Sequence, residues 1–349
     1  MKKTFTTLAL TLAATFGAGN AMAQDALPDP DGQPADMSQP VQVYILMGQS
    51  NMVGFGRIAG ADNASSLEYA TQELDLYPHL VDDDGNWTTR MDVRNVRSMG
   101  SGGGIGRILI NDRMTIQGRT FGPEIGIGHH LGNHHDAPVM VLKSCIGNRS
   151  LGWDLLPPGS ERYEFDGNNY AGFGESPLSW PVGSDPEPIG WTAGIQYVGD
   201  TSSALQILEN LETYYPGATE YEVAGFFWWQ GDKDRYNAGH AAMYERNLVA
   251  LINGLRETFD APEAKFVCAT LGQTERGADG NEGLIINAMF AVSDPEQHPD
   301  FEGDVATVYT HPISQGGASN GHYGGSARTY MDVGEAMGAA MVELLEAEE

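Results

Sequence analysis

The chain has 349 residues, with 47 acidic against 19 basic side chains and a formal net charge of -28. That length holds one large domain or two small ones. The excess of carboxylates argues against nucleic acid or an anionic membrane as a partner, and its spread along the whole chain is the pattern of a solubilising surface rather than an acidic tail.

Residues 1–23 read as an export signal: basic "MKK", a short apolar run "TFTTLALTLAATFGAG", and small residues "AMA" ending at Ala23. No lipoprotein Cys stands at the cleavage site. Loss of Lys2 and Lys3 with this leader takes the formal charge from -28 to -30. An exported protein, periplasmic or extracellular, is expected. No later stretch approaches the roughly 18 unbroken apolar residues of a membrane span. Residues 24–40, "QDALPDPDGQPADMSQP", are rich in Pro and Asp and predict a disordered leader.

From residue 41 strands and helices alternate. "VQVYILM" (41–47), "PVMVLKSC" (138–145), "YEVAGFFWW" (221–229), "AKFVCATL" (264–271) and "VATVYTH" (305–311) are near-continuous apolar runs, as in parallel strands covered on both faces. Between them Leu205, Leu208 and Leu211 share one helical stripe, and Leu248, Ile252, Leu255 and Phe259 another. Val333, Met337, Met341 and Leu344 line the last helix. Together these predict one α/β domain over 41–349, a three-layer, doubly wound sheet of about five parallel strands. Residues 55–118 and 149–200 read as two long Gly- and aromatic-rich loops after strands. In such sheets the site forms beyond the carboxyl ends of the strands. Cys145 and Cys268 each end an apolar run and are expected to be small buried residues rather than a disulfide.

Three stretches carry candidate chemistry. In "MGQSNMVG" Ser50 stands where a strand meets a helix, as a nucleophile whose own N–H faces an oxyanion or as a plain helix cap. It is not a G-x-S-x-G elbow, because Met52 occupies the last position. In "FFWWQGDKD" Gln230 offers an amide N–H, and Asp232 and Asp234 offer carboxylates; an ordinary turn explains the same letters. In "SNGHYGGSA" His322 lies in a Gly-rich turn before the last helix. It is a better base candidate than His129, His130, His134 or His135. Ser50, Gln230 and His322 all fall at carboxyl ends of strands of one sheet, in the order nucleophile, oxyanion donor, base.

The motifs "GQSNM", "GPE" (122–124), "WWQGDKD" and "GHY" resemble the SGNH hydrolase superfamily, in its branch of sialate O-acetylesterases and acetylxylan esterases of carbohydrate esterase family six. The resemblance runs from about 41 to 345, with no secure counterpart for the two long loops. It implies a flavodoxin-like fold and an esterase without metal or organic cofactor. It makes Ser50 the nucleophile and His322 the general base, with the oxyanion held by the Ser50 N–H, a glycine N–H and Gln230. Gly147, in "CIGNRSLGW", is favoured for the glycine over Gly122. The family's usual D-x-x-H aspartate is replaced by Ser319, so Asp232 is expected as the triad acid, with Asp234 and Asp332 in reserve. Gln49, Asn51, Asn148, Arg149 and Trp153 are expected to touch substrate.

The resemblance implies an O-acetylated carbohydrate as substrate. Trp153, Tyr163, Tyr170, Phe173, Trp180 and Trp191 either stack on sugar rings or anchor the long loops. Two other functions fit parts of the pattern: a non-catalytic carbohydrate-binding protein on the same fold, and a lipase or thioesterase acting on longer acyl chains. The sequence does not fix the oligomeric state.

Overall fold

A computed structural model describes residue 32 and residues 34–347. The expected export signal lies outside the described residues, as does most of the leader. The described part of the leader, 34–40, is irregular apart from a turn, and its Asp36 N–H donates to Asp136 O at 2.8 Å.

The main sheet has seven strands: β1 (Val41–Gly48), β2 (Thr89–Met99), β3 (Arg107–Thr115), β4 (Val139–Ser144), β5 (Tyr221–Trp229), β6 (Lys265–Ala269) and β7 (Val305–Val308). Their order is β7-β6-β5-β1-β4-β2-β3. All neighbours run parallel except β3, which pairs antiparallel with β2 at one edge. All five expected strands are present, at the centre and one side of the sheet. The sheet is larger than expected, because residues 55–118 are not simply a loop: they supply β2 and β3. The reason is chemical. Arg90, Asp92 and Arg94 interrupt the apolar pattern of β2, yet all three are buried. The Arg90 guanidinium forks onto the Asp92 carboxylate (3.0 and 2.6 Å), and Arg94 donates to Tyr214 O (2.9 Å), so the charges are satisfied inside.

Alternate side chains of each central strand enter opposite cores. Val41, Val43, Ile45 and Met47 of β1 join Trp228 in one core; Tyr44 and Leu46 join Trp229 in the other. The principal helices are α1 (Ser50–Val53), α2 (Glu124–His134), α3 (Ile195–Glu209), α4 (Tyr244–Thr258), α5 (Gly280–Ala291) and α6 (Ala327–Glu346). The predicted stripes on α4 and α6 point inward: Leu248, Ile252 and Leu255 sit in the first core, and Val333, Met337 and Met341 in the second. The "GPE" stretch opens α2, a helix whose glycines hid its pattern.

The loop 149–200 folds over the carboxyl edge as a small three-stranded sheet (Tyr163–Phe165, Asn168–Tyr170 and Ser179–Pro181). Its core is Trp153, Leu156, Ala171, Trp180 and Ala193. Cys145 and Cys268 are free and buried. Among the described residues no helix is long and apolar enough to cross a membrane.

Candidate active site

The end of β1 fixes the first site residue. Gly48 has φ 144, and a Cβ there would lie 2.4 Å from Trp229 O, so only glycine lets β1 leave beside β5 at this point. Gln49 precedes α1 in an extended conformation, and Ser50 is its first residue. A buried ion pair holds the far end of that turn. Lys143 Nζ donates to Val53 O (3.0 Å) and to Glu124 Oε2 (2.6 Å). The other Glu124 oxygen accepts the Gly122 N–H (3.1 Å). The "GPE" glutamate thus ties α2 to the turn that carries Ser50.

The two candidate oxyanion glycines now separate. A Cβ on Gly147 would sit 3.4 Å from Ser50 Cβ, in van der Waals contact, so Gly147 lies directly beside the serine. The Gly122 N–H is consumed by Glu124, and Gly122 packs against Gly54 instead. Asn148 follows with φ 59 and is exposed, and Arg149 is half-buried. Arg149 donates to Gln196 Oε1 (3.1 Å) and Ser101 Oγ (2.7 Å), and its guanidinium lies over the Trp191 ring, 5.0 Å from the centroid.

The end of β5 supplies the second group. Gln230 is buried and its amide is fully engaged. Nε2 lies within hydrogen-bonding distance of Gln49 Oε1 (3.1 Å), Arg149 O (2.9 Å) and Asp234 Oδ2 (2.5 Å), and Oε1 accepts from Tyr244 OH (2.7 Å). Three acceptors exceed the two protons of the amide. An oxyanion would have to take a proton from one of them. In this structure Gln230 anchors the 147–149 turn rather than pointing at an open site. Asp234 also faces inward: it accepts the N–H groups of Leu151 (2.9 Å) and Gly152 (2.8 Å), and burial raises its pKa to about 6.

Asp232 is placed differently. Its Oδ1 accepts from Ser319 Oγ (2.6 Å) and from Arg235 Nε (2.9 Å). Ser319, standing where an aspartate was expected, therefore donates its hydroxyl hydrogen to the Asp232 carboxylate. Burial lowers the pKa of His322, and the charge of Asp232 opposes that shift. Neither reserve acid acts on the imidazole. Asp234 is bound to the 151–152 turn, and Asp332 accepts from Tyr77 OH. The segment Ser319–Gly325 that carries His322 packs against α1. Ser50, Gly147, Asp232 and His322 are thus brought to one rim of the sheet.

The expected substrate contacts divide. Asn148 and Arg149 reach the surface beside Gly147. Gln49 and Asn51 do not: they are 2% and 1% exposed, Gln49 Oε1 accepts the Lys233 N–H (3.0 Å), and Asn51 Oδ1 meets Tyr330 OH (3.5 Å). Trp153 and Trp180 are core residues of the small sheet. Tyr163 and Tyr170 stack on each other, 5.0 Å between centroids. Most of the loop aromatics therefore anchor the loop. A one-turn helix gave the sequence no way to tell which of Gln49, Ser50 and Asn51 faces out. Among the described residues no cluster of His, Cys, Asp or Glu has metal-site geometry.

Comparison with known proteins agrees with this architecture. Residues 202–342, which include Gln230, Asp232 and His322, match the family described as "Carbohydrate esterase, sialic acid-specific acetylesterase". No curated protein matches the chain. A protein from Arabidopsis thaliana has a similar structure, with a TM-score of 0.50 and 14% identity, over 87% of this chain and 98% of its own. So does a carbohydrate acetylesterase from Xanthomonas citri, with a TM-score of 0.50 and 12% identity, over 86% of this chain and 55% of its own. At these identities the likeness is one of fold. Over residues 202–342, less than half of its length, the chain is similar to that carbohydrate esterase family, and as a whole it shares the fold of the two solved structures.

Proposed function

We propose that the protein is an exported serine esterase that removes O-acetyl groups from carbohydrate through an acyl-enzyme. The observation that carries this reading is the meeting of Ser50, Gly147, Asp232 and His322 at one edge of the sheet. His322 takes the Ser50 proton as Oγ attacks the ester carbonyl. The oxyanion lies between the N–H groups of Ser50 and Gly147. Asp232, steadied by Ser319 and Arg235, stabilises the imidazolium that forms. The imidazolium returns its proton to the departing sugar hydroxyl. Water, deprotonated by His322, then releases acetate. Every step uses side chains and backbone alone.

Gln230 supports this site by holding the Arg149 carbonyl and so the 147–149 turn. Asn148 and Arg149 are the surface groups nearest the reacting centre on that turn and take the sugar. The basic and apolar pattern of residues 1–23 supports export, to the periplasm or beyond. The acidic surface supports a neutral or locally recognised glycan, with no role for nucleic acid or membrane.

The test is acetate release from O-acetylated polysaccharides and O-acetylated sialic acids, alongside p-nitrophenyl acetate and octanoate. The proposal expects acetate release and a preference for acetyl over octanoyl, both abolished in Ser50→Ala. Equal background rates for wild type and Ser50→Ala indicate a carbohydrate-binding protein instead. A preference for octanoate indicates an acyl-chain hydrolase.

A further inference from the structure

Phe55 and His322 lie far apart in sequence and meet at the mouth of the site. Gly54, with φ 98, ends α1 and packs against Gly122, and Phe55 follows at the surface, 36% exposed. Its ring lies flat on the His322 imidazole, with centroids 3.9 Å apart and planes within 6°. The backbone beneath the imidazole is unusual. His322, Tyr323, Gly324 and Gly325 have φ of 51, 52, 62 and 78, four consecutive residues in the left-handed region. Tyr323 pins that segment from below. Its ring stacks on Trp229 (5.7 Å, 17°), and its hydroxyl accepts the Gly272 N–H (3.1 Å). The backbone of His322 is therefore fixed, but its side chain is not: among the described residues no hydrogen bond ends on the imidazole. The ring that holds its orientation is Phe55.

We infer that Phe55 is a positioning residue for His322, holding the imidazole plane at the site and shielding one of its faces from water. The kinetic consequence rests on the proposed esterase reading; the physical one does not. A general base acts only while its nitrogen stays within hydrogen-bond reach of the proton it takes. A ring free to turn about its side-chain bonds spends less time in that pose. Stacking of two aromatic rings shifts such an equilibrium by roughly 2- to 10-fold. The phenyl also bears on the titration of the ring: the water it excludes disfavours the imidazolium, in the sense of the burial that lowers the His322 pKa, while its π face attracts the cation. Neutral imidazole is the form that accepts the serine proton.

The experiment uses the full chain with Phe55→Ala and Phe55→Tyr. The imidazole of His322, assigned by comparison with His322→Asn, is titrated by NMR, and kcat and KM are measured with p-nitrophenyl acetate. Phe55→Ala is expected to shift the His322 pKa and to lower kcat about 2- to 10-fold with KM nearly constant. Phe55→Tyr, which keeps the stack, is expected to restore both. An unmoved pKa, an unchanged kcat, or a change confined to KM overturns the inference; the last makes Phe55 a substrate platform. If the wild type hydrolyses no ester, the esterase reading fails and the titration still decides the role of Phe55.

Discussion

The Ser319–Asp232 contact makes a testable demand on the site's carboxylate. Ser319 is fully buried and its Oγ lies 2.6 Å from Asp232 Oδ1. Ser319→Asp therefore brings a second carboxylate to about 3 Å from the first, and two such charges repel by about 5 kcal/mol at an effective dielectric of about 20. Arg235, already bound to Asp232 at 2.9 Å, offsets part of this. Uptake of a proton by one of the pair offsets more. About half of the repulsion remains as destabilisation, a loss of roughly 2–3 kcal/mol. Differential scanning calorimetry is expected to show a melting temperature lower by about 4–8 °C. The pH profile of kcat/KM is expected to change with it, because the charge facing His322 is now shared. The reciprocal exchange, Asp232→Ser with Ser319→Asp, leaves one carboxylate in D-x-x-H order and is expected to recover the melting temperature and part of the activity. A single Ser319→Asp variant with wild-type melting and pH profile would refute the contact. A double exchange no better than the single would refute the claim that one carboxylate at this place suffices.

Two further outcomes follow from buried groups. His79, His130, His135 and His240 are held neutral by burial, with pKa values lowered to about 4. The unfolded chain binds protons on them below about 6.5, so their contribution to stability is lost as pH falls from about 6.5 to about 4. Asp234 and Glu335, raised by burial to about 6 and about 8, act in the opposite sense and lose their contribution as pH rises through those values. Thermal melts are expected to peak near pH 6.5 and fall on both sides, and a melting temperature still rising from pH 6.5 to 8 would contradict this balance. Gln230→Ala strips partners from Tyr244, Gln49, Arg149 and Asp234 at once, at a cost of about 3 kcal/mol. It is expected to lower both melting temperature and kcat; a loss of kcat with unchanged melting would instead make Gln230 a direct oxyanion donor.

The strands that are apolar throughout were legible because each is covered on both faces. β2 was not, because a strand that buries Arg90, Asp92 and Arg94 in satisfied hydrogen bonds carries no apolar signature, and β3 was not, because it is an edge strand exposed along most of its length. The coming together of Ser50, Asp232 and His322 was legible, because each lies beyond the carboxyl end of a strand of one sheet. The site was not legible where direction decides. Gln49 and Asn51 flank the serine, yet both turn inward, and the Gln230 amide is spent on holding a turn. The role of Ser319 was invisible for a related reason. As a letter it is a missing aspartate; in space its hydroxyl donates to the Asp232 carboxylate. The Phe55–His322 stack depends on two turns meeting, which no local pattern encodes.

The central claim is that Ser50 carries the acyl group. Brief exposure to p-nitrophenyl acetate, rapid acid quench and peptide mapping by mass spectrometry tests it directly. The account predicts one acetyl group on the peptide containing Ser50, enriched when His322→Asn slows deacylation more than acylation or when the quench precedes turnover, and none in Ser50→Ala. Turnover that persists in Ser50→Ala, or an acetyl group carried by another residue, would contradict it.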